Sequence, residues 1–141
     1  MTHKNLKTTL RTFIEEVWNN GNFTQLENFV AAKYELKRDP GDPWDGQTLT
    51  IPTFKERVLY SRNAFPDLHF EIQDMIEENE KVGLSWIMSG THQGDLPQLP
   101  ATGKAFSISG ITIYYFEEGK LCGHRQAFDQ LGVLSQVKFF N

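Results

Sequence analysis

The chain has 141 residues, 39% of them hydrophobic, and a formal net charge of −4 at pH 7, which suits one compact domain covering residues 1–141. Its 14 Lys and Arg residues are scattered among 18 Asp and Glu residues without a basic run, which argues against nucleic acid as a partner. No apolar run is long enough to cross a membrane, and the single cysteine, Cys122, allows no disulfide within the chain, so we expect a cytoplasmic protein.

Three helices are predicted in the first half of the chain. Apolar residues recur at helical spacing from residue 6 to residue 18, and Gly21 ends this first helix. Thr24 with Glu27, and Thr53 with Glu56, have the spacing of capping boxes and predict the starts of the second and third helices. Between these two helices, residues 34–50 are dense in Asp, Pro and Gly, so we expect a short strand near residues 34–37 and then an irregular loop.

Four strands are predicted after the third helix, at residues 68–76, 81–92, 104–117 and 120–129, because apolar side chains recur with a period of two. In the second of these strands, Trp86 and His92 share one face with several apolar residues. In the fourth, Leu121, Arg125 and Asp129 fall on a common face. The pattern therefore predicts that the Asp129 carboxylate lies at the end of a sheet.

Helices followed by antiparallel strands predict an α+β fold, in which a curved antiparallel sheet wraps around the N-terminal helices and encloses a cone-shaped cavity. Trp86, His92, Arg62 and Asp129 should border this cavity, Arg62 because it lies on the apolar face of the third helix. The loop at residues 93–103 is long and rich in Pro and Gly, which predicts a mobile flap over the cavity. The apolar outer face of the strand at residues 104–117 predicts a homodimer.

Four short segments stand in an order and spacing that are typical of one known family. They are Phe65-Pro66-Asp67-Leu68, Gly90-Thr91-His92-Gln93-Gly94, Pro100-Ala101-Thr102-Gly103-Lys104 and Asp129-Gln130-Leu131-Gly132. In these segments the chain resembles the SnoaL-like polyketide cyclases, which belong to the ester cyclase branch of the nuclear-transport-factor-two-like superfamily. The resemblance extends over nearly the whole chain, from the first helix to the last.

The resemblance implies a site without a cofactor, in which Asp129 is the general acid and base of an intramolecular aldol ring closure on a small hydrophobic carbonyl or ester substrate. It also matches His92 to the histidine that the family has in its Gly-Thr-His-Gly context. Two positions depart from the family pattern: Arg125 stands where many members have a tryptophan, and Lys37 stands where many have a histidine. Both changes fall where a pocket wall is expected, and they add positive charge where a neutral or acidic ligand could be held.

The residue types suit this chemistry. A base that removes a proton beside a carbonyl group must be positioned in apolar surroundings, which Trp86 and Phe106 would supply. The resulting enolate needs hydrogen-bond donors, and His92, Arg62 or Tyr114 could provide them. The sequence has neither the Gly-rich pattern of a dinucleotide site nor a recognisable spacing of metal ligands, so we expect no cofactor and no metal.

These residues also have plainer interpretations. Asp129 could simply cap the last helix, His92 could be a satisfied histidine at a strand end, and Arg62 could pair with a carboxylate. The chain could accordingly be a non-catalytic small-molecule binding protein. It could also be a dehydratase or isomerase, which would use the same acid and base without closing a ring.

Overall fold

The computed structural model describes residues 5–139. Its helices are α1 (Leu6–Phe13), which continues as a π-helical segment (Ile14–Asn19), α2 (Leu26–Phe29), α3 (Ile51–Ala64) and α4 (Gln130–Leu134), which continues as a second π-helical segment (Ser135–Phe139). Within residues 5–139, no helix has the length and apolar character needed to cross a membrane. The cytoplasmic location stays a prediction.

The strands of the described chain form one open, six-stranded sheet. They are β1 (Val30–Arg38), β2 (Thr48–Leu49), β3 (His69–Glu78), β4 (Lys81–Thr91), β5 (Ala105–Glu117) and β6 (Lys120–Phe128), in the spatial order β2-β1-β6-β5-β4-β3. The predicted α+β class is confirmed. The sheet is mixed rather than purely antiparallel, because β1 and β6 pair in parallel. A long connection separates these two strands in the chain, and parallel neighbours require such a connection.

The helix starts differ from the predicted capping boxes. The side chain of Thr50 caps α3 by accepting a hydrogen bond from the backbone N–H of Thr53 at 3.4 Å, so the cap lies three residues before the predicted one. Pro52 is compatible with this earlier start. Backbone N–H groups in the first turn of a helix have no carbonyl partner within the helix, so the missing N–H of proline breaks no hydrogen bond there. The hydroxyl of Thr24 donates instead to Asn22 at 2.8 Å, and no side chain caps α2.

The core lies between the inner face of the sheet and the helices. Leu10, Phe13 and Val17 are fully buried along α1 and its π-helical continuation. The Phe13 ring packs edge-on against Tyr114 of β5, with 6.4 Å between the ring centroids. On the other side of the core, Tyr34 of β1 packs against a ring of α3. The sheet therefore bends around α1 and α3, and its inner face forms the wall of an internal cavity.

A β-bulge at Cys122 changes which side chains of β6 face the core. Tyr115 lies opposite Gly123, whereas the next residue of β5, Phe116, lies opposite Leu121, so Cys122 is an extra residue in β6. Beyond the bulge the alternation is shifted by one position. The predicted common face of residues 121, 125 and 129 is therefore wrong: His124 is buried and Arg125 is exposed.

Candidate functional site

A cavity of about 310 Å³ lies between the inner face of the sheet, α1 with its π-helical continuation, and α3. This volume is at the lower end of the range for small-molecule sites. Aromatic rings from both layers line it, among them Trp18, Phe54, Phe70, Trp86, Tyr114 and Phe128. Such a wall favours a flat, apolar ligand.

One side of the cavity carries an ion-paired cluster. The Arg57 guanidinium donates from Nε to Asp42 Oδ2 at 2.9 Å and from Nη2 to Asp39 Oδ2 at 3.0 Å. The Arg57 side chain is 7% exposed and that of Asp39 is 1% exposed, so this arginine bridges two carboxylates in the interior. Burial by itself lowers the pKa of Arg57, but the charges of Asp42 and Asp39 outweigh it and leave that pKa raised. The arginine therefore remains a cation.

His124 extends this cluster along β6. Its Nε2 lies 2.8 Å from Asp39 Oδ2, and its Nδ1 lies 2.6 Å from the Tyr34 hydroxyl. Burial lowers the pKa of His124, despite its hydrogen bond to Asp39, so the ring is neutral near pH 7. Burial also raises the pKa of Tyr34, which keeps its phenol protonated. A neutral ring then donates from Nε2 to Asp39 and accepts from Tyr34 at Nδ1.

A chain of side-chain hydrogen bonds continues from the ion-paired cluster to the aromatic wall. Gln126 Nε2 donates to Asp39 Oδ2 at 3.2 Å, and the Thr112 hydroxyl donates to Gln126 Oε1 at 2.7 Å. The indole N–H of Trp86 donates in turn to Thr112 Oγ1 at 2.9 Å. These bonds hold the Trp86 ring and the Gln126 amide in fixed orientations at the cavity wall.

Asp42 and Arg57 are the two charged members of the cluster that reach the cavity surface. Asp42 is the one carboxylate among the described lining residues, and its side chain is 16% exposed. Arg57 Nη1 makes no hydrogen bond to any residue of the described chain, so it can donate to a ligand oxygen. The cavity therefore presents a carboxylate acceptor beside a guanidinium donor.

The sequence matches the SnoaL-like polyketide cyclases over residues 8–137. The chain belongs to this family. It is 29% identical over 124 residues to the aklanonic acid methyl ester cyclase DnrD of Streptomyces peucetius, a match that covers 86% of this chain and 83% of that protein. DauD, an aklanonic acid methyl ester cyclase of Streptomyces sp. (strain C5), is also 29% identical, over 86% of this chain and 75% of its own length.

Solved structures support the same assignment. A candidate polyketide cyclase from Acidithiobacillus ferrooxidans is 40% identical to this chain, with a TM-score of 0.90 over the whole of both chains. IdmH from Streptomyces antibioticus is 21% identical, with a TM-score of 0.78 over 94% of this chain and 98% of its own, and shows the likeness of fold alone. The nuclear-transport-factor-two-like architecture that the resemblance implied is therefore confirmed.

Two of the residues that the sequence placed at the site, Trp86 and Tyr114, line the cavity. Both lie on stretches of β4 and β5 where the alternation of buried and exposed side chains is regular. Burial raises the pKa of Tyr114, so its phenol stays protonated and can donate a hydrogen bond. The structure brings these two residues together with the ion-paired cluster that the sequence did not reveal.

Asp129, the catalytic residue implied by the resemblance, does not line the cavity. Its side chain is exposed, and Oδ1 accepts a hydrogen bond from the backbone N–H of Gly132 at 2.8 Å, which makes Asp129 the N-cap of α4. The residues on either side, Phe128 and Gln130, do line the cavity. The prediction that Asp129 borders the cavity is wrong, because the carboxylate turns toward the first turn of α4.

Arg62 also lies outside the cavity lining. Its guanidinium donates to four backbone carbonyl oxygens, which belong to Trp18, Asn19, Pro66 and Leu68. Two of these carbonyls end the π-helical continuation of α1, where oxygen atoms lack partners within the helix. Arg62 therefore ties that helix end to the turn before β3, and the prediction that it borders the cavity is wrong.

His92 is fully buried behind the cavity wall rather than on its surface. Its Nδ1 accepts from the backbone N–H of Thr102 at 3.3 Å, and its ring packs against Phe65 at 5.7 Å between centroids. Phe106, which was expected near the substrate, is buried against the other side of Phe65 at 4.9 Å. Both residues support Phe65, which is the ring that lines the cavity.

Lys37 and Arg125 lie on the outer side of the sheet. Arg125 Nε donates to the Tyr115 hydroxyl at 3.1 Å, and Lys37 Nζ lies 4.8 Å from the centroid of the Tyr115 ring. Lys37 also forms an ion pair with Glu35 at 3.0 Å. The prediction that these two cations belong to the pocket wall is wrong, because the bulge in β6 directs residue 125 away from the core.

The loop between β4 and β5 reaches the cavity through Leu96. The backbone N–H groups of Gln93 and Gly94 both donate to the Ala64 carbonyl at 3.0 Å, which ties the start of the loop to the end of α3. Leu96 and Leu99 exchange two backbone hydrogen bonds of 3.0 Å within the loop. The prediction that this loop opens and closes over the cavity stays a prediction.

The residues that form the polar side of the cavity were not predicted from the sequence. Asp39 and Asp42 lie in a segment interpreted only as an irregular loop, and in a regular strand His124 would point away from the face of Asp129. One signal was available for Arg57: it lies between Phe54 and Val58 on the apolar face of α3, where a charged side chain needs a buried partner.

Proposed function

We propose that the protein is a cyclase that acts without a cofactor on a small hydrophobic carbonyl or ester substrate, and that Asp42 is its general base. The observation that carries this proposal is the position of Asp42, a carboxylate on the surface of an aromatic cavity and bonded to Arg57 at 2.9 Å. Family membership supports a cyclase, and the curated relatives DnrD and DauD are named for aklanonic acid methyl ester.

In the proposed reaction, Asp42 removes a proton from a carbon next to a substrate carbonyl group. The electron pair of the broken C–H bond forms an enolate, and its oxygen accepts a hydrogen bond from Arg57 Nη1. The enolate carbon then attacks a second carbonyl carbon of the same molecule and forms a C–C bond. The oxygen of that second carbonyl takes the proton back from Asp42. The product is an isomer of the substrate, so the balance requires no oxidant or reductant.

The rest of the cluster would act by positioning. Asp39 holds Arg57 from behind the cavity wall, and its own position is set by the hydrogen bonds of His124 and Gln126 to Oδ2. A donor held in place before the reaction stabilises developing negative charge without reorganising. A substrate packed against the aromatic wall would displace water from the cavity, and this would strengthen each of these electrostatic interactions.

The test compares Asp42→Asn with Asp129→Asn, because the family resemblance implies Asp129 as the base, whereas the position of Asp42 at the cavity surface supports Asp42. Each variant is incubated with aklanonic acid methyl ester, and the cyclised isomer is separated by chromatography. We expect Asp42→Asn to lose about a hundredfold or more of the turnover, since a positioned base contributes about 10²–10⁴-fold. Asp129→Asn should keep it, since asparagine caps a helix about as well as aspartate.

A second readout separates catalysis from binding. In D2O, a base beside the carbonyl exchanges the α-proton of a bound ligand for deuterium even where no ring closes, and mass spectrometry detects the exchange. Binding without exchange in the parent protein would favour the non-catalytic binding protein. Loss of a water mass would favour a dehydratase. If Asp42→Asn exchanged the α-proton and turned over the substrate at the parental rates, while Asp129→Asn lost both activities, Asp129 would be the base.

A further inference from the structure

We infer that Gln126 is a further catalytic residue, whose amide N–H donates a hydrogen bond to the carbonyl oxygen that the enolate attacks. The inference rests on the proposed function and deepens it, because it gives a role in ring closure to a residue that removes no proton. Gln126 is half-buried in β6 and lines the cavity. The bulge at Cys122 places its side chain on the inner face of the sheet, together with those of His124 and Phe128.

The orientation of the Gln126 amide is fixed at both of its ends. The Asp39 carboxylate only accepts hydrogen bonds, so the amide atom that lies 3.2 Å from its Oδ2 is the nitrogen, Nε2. Oε1 then faces the Thr112 hydroxyl at 2.7 Å. This hydroxyl accepts from the indole N–H of Trp86, which is only a donor, and has its own proton left to give. A flipped amide would face Asp39 with an oxygen atom and would leave the Thr112 proton without this acceptor.

One N–H group of this amide is unused. Nε2 carries two hydrogen atoms and donates one of them to Asp39, and it makes no second hydrogen bond to a residue within 5–139. The amide is neutral, so the donor adds no charge to the cavity. Because Gln126 is part of the cavity wall, this N–H is available to an oxygen atom of a bound ligand.

Arg57 offers a second unused donor, at Nη1, from the other side of the cavity. Its Nη2 lies 3.0 Å from Asp39 Oδ2, the same oxygen atom that Gln126 Nε2 approaches to 3.2 Å. Gln126 belongs to the sheet and Arg57 to α3, so the two side chains meet from the two layers that enclose the cavity. Two carbonyl oxygens of one substrate, one at each donor, would therefore lie close together. Such proximity brings the enolate carbon toward the second carbonyl carbon.

The two donors would then act on different oxygens during ring closure. Arg57 holds the oxygen of the enolate that Asp42 has formed, and Gln126 holds the oxygen of the second carbonyl group. As the C–C bond forms, the π electrons of this carbonyl group move to its oxygen, and the amide N–H stabilises the negative charge that develops there. An amide does not release its proton, so the oxygen takes its proton from Asp42, and the product remains an isomer of the substrate.

The test compares Gln126→Met with Gln73→Met, the same substitution at an exposed residue of β3. Methionine is similar to glutamine in length but has no N–H group. Each protein is incubated with aklanonic acid methyl ester in D2O, and mass spectrometry measures the cyclised product and the deuterium in the recovered substrate. We expect Gln126→Met to form product about a hundredfold more slowly, since loss of one donor to developing charge costs about 10²–10³-fold. Its deuterium incorporation should equal or exceed that of the parent, because the enolate still forms and returns to substrate more often. Gln73→Met should match the parent in both.

Gln126→Asn repeats the test with a side chain that stays polar. Its amide is one methylene group too short to reach both Thr112 and Asp39, so it should also slow product formation and spare deuterium incorporation. A merely structural role of Gln126 would overturn the inference: product formation and deuterium incorporation would then fall by the same factor in each variant that folds. Parental product formation in these variants would overturn it as well, and both results would leave Asp42 as the base. A parent protein that binds the ester but incorporates no deuterium and forms no product would instead remove the proposed function, and this inference with it.

Discussion

His124 Nε2 lies 2.8 Å from Asp39 Oδ2, although 85 residues separate the two in the chain. Asp39 directly follows β1, and His124 lies in β6, the strand that pairs in parallel with β1. In the register of this pairing, Leu36 is opposite His124. The contact that organises the polar side of the cavity therefore depends on the parallel pairing of the first and last strands of the fold.

The neutral state of His124 predicts a pH dependence of stability. Burial holds its pKa below the ordinary value of 6.5, while the unfolded chain binds the proton near that value. As the pH falls below 6.5, the unfolded state gains a proton that the folded state does not, so the free energy of unfolding decreases. Urea unfolding at about pH 7.5, 6.5 and 5.5 measures this decrease, which should be smaller in His124→Gln than in the parent.

The matched control for this titration is His69→Gln, which replaces an exposed histidine in β3. This variant should show the same decrease in the free energy of unfolding between neutral and mildly acidic pH as the parent protein. Glutamine at position 124 retains an amide N–H for Asp39, so the variant should fold. An equal pH dependence in His124→Gln and in the parent would show that another group is responsible.

Arg57→Ala should be strongly destabilising, because it leaves Asp39 and Asp42 as unpaired carboxylates inside the protein. Breaking a buried ion pair by removing one partner typically costs about 3–5 kcal/mol. Arg125→Ala removes an exposed arginine and should change the free energy of unfolding by less than about 1 kcal/mol. Chemical denaturation of both variants measures the difference, and similar losses would contradict the role of Arg57 at the centre of the cluster.

Gly110→Ala should distort the cavity. A Cβ atom at residue 110 would overlap the indole ring of Trp86, the residue opposite it on β4, and would lie 2.7 Å from Cβ of Phe128. Forcing these rings apart should cost about 1–3 kcal/mol and shift the emission of Trp86. Gly83→Ala is the control, since the nearest atom to its Cβ would be Ile76 O at 3.8 Å. Equal melting temperatures for the two variants would contradict this account.

Ile111→Lys should weaken self-association. Ile111 and Ile113 are 60% and 39% exposed on the outer face of β5, and burial of this face between two subunits would remove both from water. Sedimentation velocity at micromolar concentration should show a dimer for the parent and a monomer for the variant. Leu131→Lys, at a residue of α4 that is 70% exposed, should leave the dimer intact. A monomeric parent would refute the prediction of a homodimer.

The regular alternation of apolar and polar side chains along the strands made much of the fold predictable. The turns before β4 and β6 lie in the gaps between the predicted strands, where Asn79, Glu80, Glu118 and Gly119 have positive φ. The positions of Trp86 and Tyr114 on the inner face followed from the same alternation, because β4 and β5 contain no bulge in their pairing. These features depend on neighbouring residues in the chain, so local patterns are sufficient to predict them.

Local patterns in the sequence were enough to predict the α+β class, the order of the main helices and strands and the resemblance to one family, since each depends on periodicity or on short motifs. The site depends on contacts between distant parts of the chain. The bulge at Cys122 arises from the register between β5 and β6, and it alone turns His124 inward and Arg125 outward. The cluster of Asp39, Asp42 and Arg57 forms because the sheet places the end of β1 beside β6 and α3. Contacts between distant segments depend on strand order and register, which no local pattern encodes.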